Sequence, residues 1–221
     1  MTAATKKAPS KKPDPQVEKI TISAPSITTA EFKIKGTDPY VQCKFSQKAL
    51  NEMRETQSLG SVAAKGRARK PKDFEGLFEA SIHYSKEGWA GIPASAFRTA
   101  MVDACRLAGF NMRMAKMSVF VVADGYDATE GVPLVRITKG KPRHVEHAVR
   151  LQGVTTDIRV RAMWDPGWEA KVSIKYDSDQ FDLSDVSNLL LRVGMQVGIG
   201  EGRPFSKNST GMGWGTFELD R

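Results

Sequence analysis

The sequence predicts an α+β fold with a mainly antiparallel sheet, and three observations predict it. Short segments of alternating apolar and polar residues recur along the chain, the period-2 signature of half-buried strands. Other segments space their apolar residues three and four apart, as amphipathic helices do. The order is strands, helix, long insertion, strand, helix, several strands, helix, glycine-rich loop and strand. It lacks the regular βαβ alternation of a parallel sheet.

Each element has its own signal. Residues 1–16, MTAATKKAPSKKPDPQ, are rich in Ala, Lys and Pro and are expected to be a disordered basic tail. Residues 17–221 are expected to form one domain. VEKITIS, AEFKIKG and YVQCKFS alternate as strands, broken at Pro25 and Pro39. Ser46 to Gln57 reads as a helix, with Ser46 as its cap and Leu50 and Met53 on one face. FEGLFEASIHYS, Phe74 to Ser85, resumes a strand pattern.

After GWAGIP, a helix is expected with Ser95 as its cap and Phe97, Met101, Ala104, Cys105 and Ala108 at helical spacing, ending at Gly109. MSVFVVADG and PLVRITKG follow as strands, and a short connection carries His144 and His147. Asp165-Pro166-Gly167 is a turn signal, so residues 157–177 read as a hairpin. In its first strand Arg159 and Arg161 alternate with Ile158 and Val160, which makes one face basic. Asp182 to Gly198 reads as a second amphipathic helix with Leu183, Val186, Leu190, Val193 and Val197 buried. WGTFELD is the last strand.

Charge narrows the function. Lys and Arg number 33 against 25 acids, a net +8 over 221 residues, which favours a polyanionic partner. Residues 58–73, SLGSVAAKGRARKPKD, carry Lys65, Arg67, Arg69, Lys70 and Lys72 with no acid before Asp73. This inserted loop reads either as a solvated tether or as a basic flap closing on a nucleic-acid backbone. Cys43 and Cys105 have no CxxC spacing, which speaks against a cysteine zinc site and for a reducing, cytoplasmic setting. No apolar run approaches the roughly 20 residues of a membrane span, and Lys6, Lys7, Lys11 and Lys12 precede no apolar segment of a signal peptide.

The C-terminal stretch holds the densest signal. Gly194, Gly198, Gly200, Gly202, Gly211, Gly213 and Gly215 surround Arg203, Lys207, Asn208, Ser209 and Thr210. A glycine loop lets the backbone turn sharply and present N–H groups and cations to phosphate. This segment, together with strand–GIPASAFRTAMVDA (Ile92, Pro93, Ala94, Ser95, Phe97 and Arg98), resembles the RAMP superfamily of CRISPR-associated proteins. The resemblance covers about half the chain and is nearest to the backbone subunits of effector complexes; a free-standing phage or mobile-element relative fits equally. It implies a modified RRM-like (ferredoxin-like) core with a basic inserted flap, binding a single strand along a groove and stacking into a homo-oligomer or filament.

The expected interface follows. Lys65, Arg67, Arg69, Lys70 and Lys72 clamp a strand. Arg98 reaches a phosphate from the start of its helix. Arg159 and Arg161 line a basic strand face, and Arg203, Lys207 and Asn208 hold the backbone at the glycine loop. Trp89, Phe205 and Trp214 are stacking candidates, each of which also suits a core position.

Chemistry has weaker signals. His144 and His147 would meet on one helical turn, as a metal pair lacking a third ligand or as acid–base groups for RNA cleavage. His83 reads as structural. Asp124, Asp127 and Glu130 form a solvated turn that lacks the ligand series of a calcium loop. GIGEGRP is no phosphate-binding Walker motif, because no GK[ST] follows. The expectation is a non-enzymatic binder of single-stranded nucleic acid, RNA favoured over DNA, without cofactor or metal. A phage-type single-strand annealing protein, a RAMP-like endoribonuclease and a protein-only subunit docking on an acidic partner are the alternatives.

Overall fold

The computed structural model describes residues 22–44, 50–55, 57–58, 72–151, 155–205, 209 and 211–220. The expected tail, nearly all of the first expected strand and most of the basic loop lie outside the described residues. The chain is α+β, and among the described residues all strand pairs are antiparallel.

A seven-stranded sheet carries the core. Its strands are β1 (Ile27–Gly36), β3 (Gly91–Pro93), β4 (Val119–Val122), β5 (Gly125–Tyr126), β6 (Pro133–Lys139), β9 (Glu169–Asp177) and β10 (Phe217–Leu219). The path runs β10-β1-β9-β6-β3. β9 is central: β1 pairs along its whole length, while β4 and β6 share its other side. Alternation works as the sequence predicts. Ile34, Val172, Ile174 and Tyr176 are buried, whereas Glu31, Lys33, Lys35, Lys171 and Lys175 are exposed.

The inward face is covered by α3 (Ala94–Ala104), by α5 (Leu183–Arg192) and by the π-helical turn Val193–Val197 that follows α5. Phe97, Met101, Val186, Leu190 and Val193 enter one core with Ile34, Val172 and Phe217. A capping box starts α5: Asp182 accepts from the Asp185 N–H at 2.7 Å, and Asp185 accepts from the Asp182 N–H at 3.1 Å. Leu183, expected inside, is exposed. α3 starts at Ala94, one residue ahead of the expected cap Ser95, and ends at Ala104, so Ala108 is exposed.

A second sheet, ordered β2-β8-β7, stands beside the first; it comprises β2 (Tyr40–Gln42), β7 (Pro142–Leu151) and β8 (Thr155–Trp164). Here three expectations are corrected. The His144–His147 segment is strand β7, not a connection. The Asp165-Pro166-Gly167 turn closes no hairpin: it carries the chain from β8 in the small sheet to β9 in the large one. The hairpin is β7–β8, an arm inserted between β6 and β9. Aromatic rings set its elbow. Tyr40 lies 5.5 Å from Trp164 and 5.5 Å from Trp168, and Trp168 Nε1 donates to Asp38 O at 3.0 Å. A Cβ at Gly36 would come within 1.9 Å of the Trp168 ring, so only glycine lets that ring close the elbow.

The third correction concerns residues 74–85. Phe74–Ala80 is helix α2, because the Asp73 side chain caps it, accepting from Gly76 N–H at 3.0 Å, and Glu75 sits in the first turn. Residues 50–55 and 57–58 are helical (α1), as expected for that segment. A short helix, α4 (Met112–Ser118), occupies a segment where the sequence signalled only the start of a strand; Asn111 caps it, accepting from Arg113 N–H at 2.9 Å.

Candidate nucleic-acid interface

The glycine loop follows from the end of α5. The π-helical turn stops at Gly198, whose φ is 70°, and the chain then folds back on itself. Ile199 N–H donates to Gly215 O at 3.0 Å, Gly215 N–H to Pro39 O at 2.7 Å, and Glu201 N–H to Val41 O at 3.0 Å. These bonds lay the loop against β2. The glycines then divide into two groups. A Cβ at Gly215 would lie 1.8 Å from Ile199 O, and one at Gly200 2.5 Å from Val41 O. Their bareness is spent on packing within the chain. Gly211 and Gly213 have φ of 66° and 80° and no atom of the described residues within 4 Å of a Cβ site. Among the described residues their surroundings are open, which lets a ligand backbone approach closely.

The side chains around this opening come from both the loop and the arm. Arg203 Nη1 donates to Gly200 O at 3.0 Å and its Nε to Phe205 O at 3.1 Å, which holds the loop's shape. Ser209 Oγ donates to Arg203 O and accepts from Gly211 N–H at 3.1 Å. Trp214 stands against His147 of β7 with ring centroids 5.2 Å apart. Across the arm from His147 is Arg159, and Arg161 follows on the same face. Arg161 is engaged by Glu201 of the loop, which ties arm and loop together and offsets the arginine charge. Arg159 has no ion pair among the described residues.

The other expected cations fall as follows. Lys72, at the end of the basic loop, pairs with Asp157 and donates to Ile158 O at 2.9 Å, anchoring that end beside the first half of β8. This hydrogen bond lowers the Asp157 carboxyl below its ordinary range. Arg98 lies elsewhere. It donates to Lys116 O at 2.5 Å and Val119 O at 3.2 Å, and its guanidinium covers the Phe120 ring at 5.0 Å. It thereby closes the end of α4 at the β4 edge of the large sheet. Lys65, Arg67, Arg69, Lys70, Lys207 and Asn208 lie outside the described residues. Loop and arm thus bring Arg159, Arg161, Arg203, Trp214 and the open glycines together, with Lys72 at the arm's far end. Of the other stacking candidates, Phe205 is exposed on the loop. Trp89 packs across Gly91 and Gly125 beside Arg136, away from the loop.

The two histidines do not meet. Residues three apart on a strand point to opposite faces. His144 stacks on Phe78 of α2 at 5.3 Å, with Glu75 at 3.3 Å, while His147 faces Trp214. Neither paired metal ligation nor paired acid–base chemistry has a geometry here, and the described residues contain no group of three or more His, Cys, Asp or Glu placed to hold a metal.

The sequence reading missed one polar network. Asp127, read as part of a solvated turn, is fully buried. It accepts from Lys44 Nζ at 2.9 and 2.7 Å, pairs with His83 Nδ1 at 2.9 Å, and accepts from the N–H groups of Thr129 and Glu130 at 2.9 and 2.8 Å. Gln42 extends it, accepting from His83 N–H at 3.0 Å. The Asp-x-Thr turn at 127–129 was the available signal; its partners are 44 and 83 residues away in sequence.

No family model matches the chain. No curated protein matches it. Among solved structures it is similar to a chain of "Cryo-EM structure of the Type III-B Cmr-beta bound to cognate target RNA", with a TM-score of 0.48 and 12% identity, covering 88% of this chain. The chain spans 59% of the length of that one. No described helix is long and apolar enough to cross a membrane.

Proposed function

We propose that this chain is a non-enzymatic, sequence-tolerant binding subunit for single-stranded nucleic acid that assembles into a homo-oligomer along the strand in the cytoplasm. The observation that carries this reading is the open pair Gly211 and Gly213, flanked by Ser209, Arg203 and Trp214 and backed by the arm that presents Arg159. Unfilled space above two bare backbone positions, beside cations and an indole, suits a sugar-phosphate chain with a base stacked nearby. The path β1–α3–β4–β9–α5–β10, whose strands lie in the order β10-β1-β9-β4, supports an RRM-like βαββαβ core. Its outward residues on the two central strands are Ile27, Thr29, Glu31, Lys33 and Lys35 and Glu169, Lys171, Ser173, Lys175 and Asp177, not the aromatics of an RRM. The glycine loop, not the middle of the sheet, is therefore the proposed primary contact. RNA is favoured through the RAMP-like segments.

Filter binding of matched RNA and DNA oligomers over a salt series tests the reading. Affinity should fall with salt, with a log–log slope of about 0.7 per phosphate contacted, and RNA should bind more tightly. No binding, or binding indifferent to salt, overturns it; tighter binding of DNA points to the annealing-protein alternative. Particle images of the protein on long RNA test assembly, and isolated monomers would contradict it.

A further inference from the structure

We propose a second strand-contact surface on the outward face of the large sheet at the β4 edge, where Phe120 takes a base and Arg98, Lys175 and Lys33 take phosphates. The proposal rests on the reading that the chain binds a single strand, and it uses residues separate from the glycine loop.

The face can be mapped from strand register. Phe120 of β4 is opposite Lys175 of β9, which is opposite Thr29 of β1; in the next row out, Val122 is opposite Ser173, which is opposite Glu31. One row further, Lys171 and Lys33 face each other directly. Like charges in that position repel and weaken a sheet. Lys171 is relieved by Glu31 at 2.6 Å, but Lys33 and Lys175 have no ion pair among the described residues. Of the other carboxylates on this face, Glu169, bound to Lys139 at 2.6 Å, and Glu218, opposite Lys35, lie towards the opposite end, while Asp177 follows Lys175 on the same face and accepts from the Asp179 N–H at 3.1 Å.

At the β4 end the chemistry changes. Phe120 is 36% exposed, with the Arg98 guanidinium over its ring at 5.0 Å, and Val122 is 41% exposed. Arg98 spends its hydrogen bonds on two uncharged carbonyls, so its charge is not cancelled. An exposed aromatic ring with Arg98 over it and Lys175 opposite on the next strand offers a planar base the rest of its surface and flanking phosphates two counter-charges. An acidic peptide would gain the charges but not the base stacking.

The experiment is photocrosslinking and filter binding with single-stranded RNA containing 5-bromouridine. Wild type should crosslink at the β4 peptide containing Phe120. Phe120→Ala should remove that crosslink and weaken binding about tenfold. Lys33→Gln with Lys175→Gln should flatten the salt slope by about 0.7 for each lysine removed. These lysines are exposed, so their variants remain informative if Phe120→Ala folds poorly. Wild type that binds RNA while the variants keep its affinity, slope and crosslink overturns this proposal and leaves the primary reading standing. Wild type that does not bind overturns both. Capture of polyglutamate as tightly as RNA shows that the face takes acidic polypeptide and also overturns the proposal.

Discussion

Lys44 Nζ donates to both carboxylate oxygens of Asp127, at 2.9 and 2.7 Å, where the two side chains are 8% and 0% exposed. Lys44 follows β2 and Asp127 follows β5, so this pair clasps the small sheet's shortest strand to the edge of the large sheet. Every strong acceptor site of Asp127 is used, and Lys44 Nζ has a further acceptor in Thr129 Oγ1 at 2.7 Å. A fully satisfied network of this kind fixes one arrangement, whereas a half-satisfied one is costly.

Asp127→Asn should therefore destabilise the protein by about 3–5 kcal/mol, because it leaves the Lys44 charge buried without its partner. Acid should act similarly. Burial pushes the Asp127 carboxyl up, but the Lys44, Glu130 and Thr129 donors outweigh it and hold the group well below the ordinary carboxylate range. A depressed folded value stabilises the fold above the unfolded value of about 3.9 and loses that contribution as pH falls towards the folded one. Denaturant melts at pH 7 and pH 3 should show wild type losing stability on acidification and Asp127→Asn losing less. Equal losses would remove Asp127 from the explanation.

The elbow gives a second prediction. Trp168 is 1% exposed, touches Tyr40 and Phe217, and closes against Gly36. Trp168→Ala should cost about 3–5 kcal/mol. Gly36→Ala should approach that loss although it adds only a methyl group, since that methyl would overlap the indole. Thermal unfolding of the two variants checks this; a Gly36→Ala protein as stable as wild type would mean that the elbow rearranges.

Much of the fold was legible because alternation and helical spacing are local. β1, β6, β9, α3 and α5 lie close to where the pattern put them. Failures came where a cap or a non-local partner decided. Residues 74–80 read as a strand until the Asp73 cap is considered, and the segment around His144 shows no strand boundary until β8 pairs with it. Asp165-Pro166-Gly167 is a real turn, but a turn signal does not say which sheet receives the next strand. The candidate site was legible as glycines and cations; which of them are engaged was not. Glu201 facing Arg161 and Asp157 facing Lys72 are contacts across 40 and 85 residues that no local spacing reveals.

The division among the glycines predicts opposite outcomes for one substitution. Gly215→Ala places a methyl on Ile199 O at a positive φ and should destabilise by about 3 kcal/mol or more. Gly213→Ala meets open space and carries only the conformational cost, about 1–2 kcal/mol. Yet Gly213→Ala should weaken RNA binding more than its stability loss explains, because its methyl occupies the space the strand is proposed to use. Melting temperature and RNA affinity, measured on each folded variant, separate the effects. A Gly213→Ala protein with unaltered affinity would move the strand away from this loop.

The Arg161–Glu201 pair yields the last prediction. Glu201 is a carboxylate inside the proposed interface, and it offsets Arg161, one of the two β8 arginines on this face of the arm. The pair is part-buried, at 13% and 30% of the side chains exposed, so breaking it should cost about 1–3 kcal/mol. Its effect on binding has a definite sign. Glu201→Gln removes the competing charge and returns Arg161 to the strand, so RNA should bind more tightly and the salt slope should steepen by about 0.7. Arg161→Gln leaves Glu201 facing the phosphates and should weaken binding. If both substitutions weaken it equally, the pair serves to hold arm and loop together, and the strand runs past Arg159 without reaching Arg161.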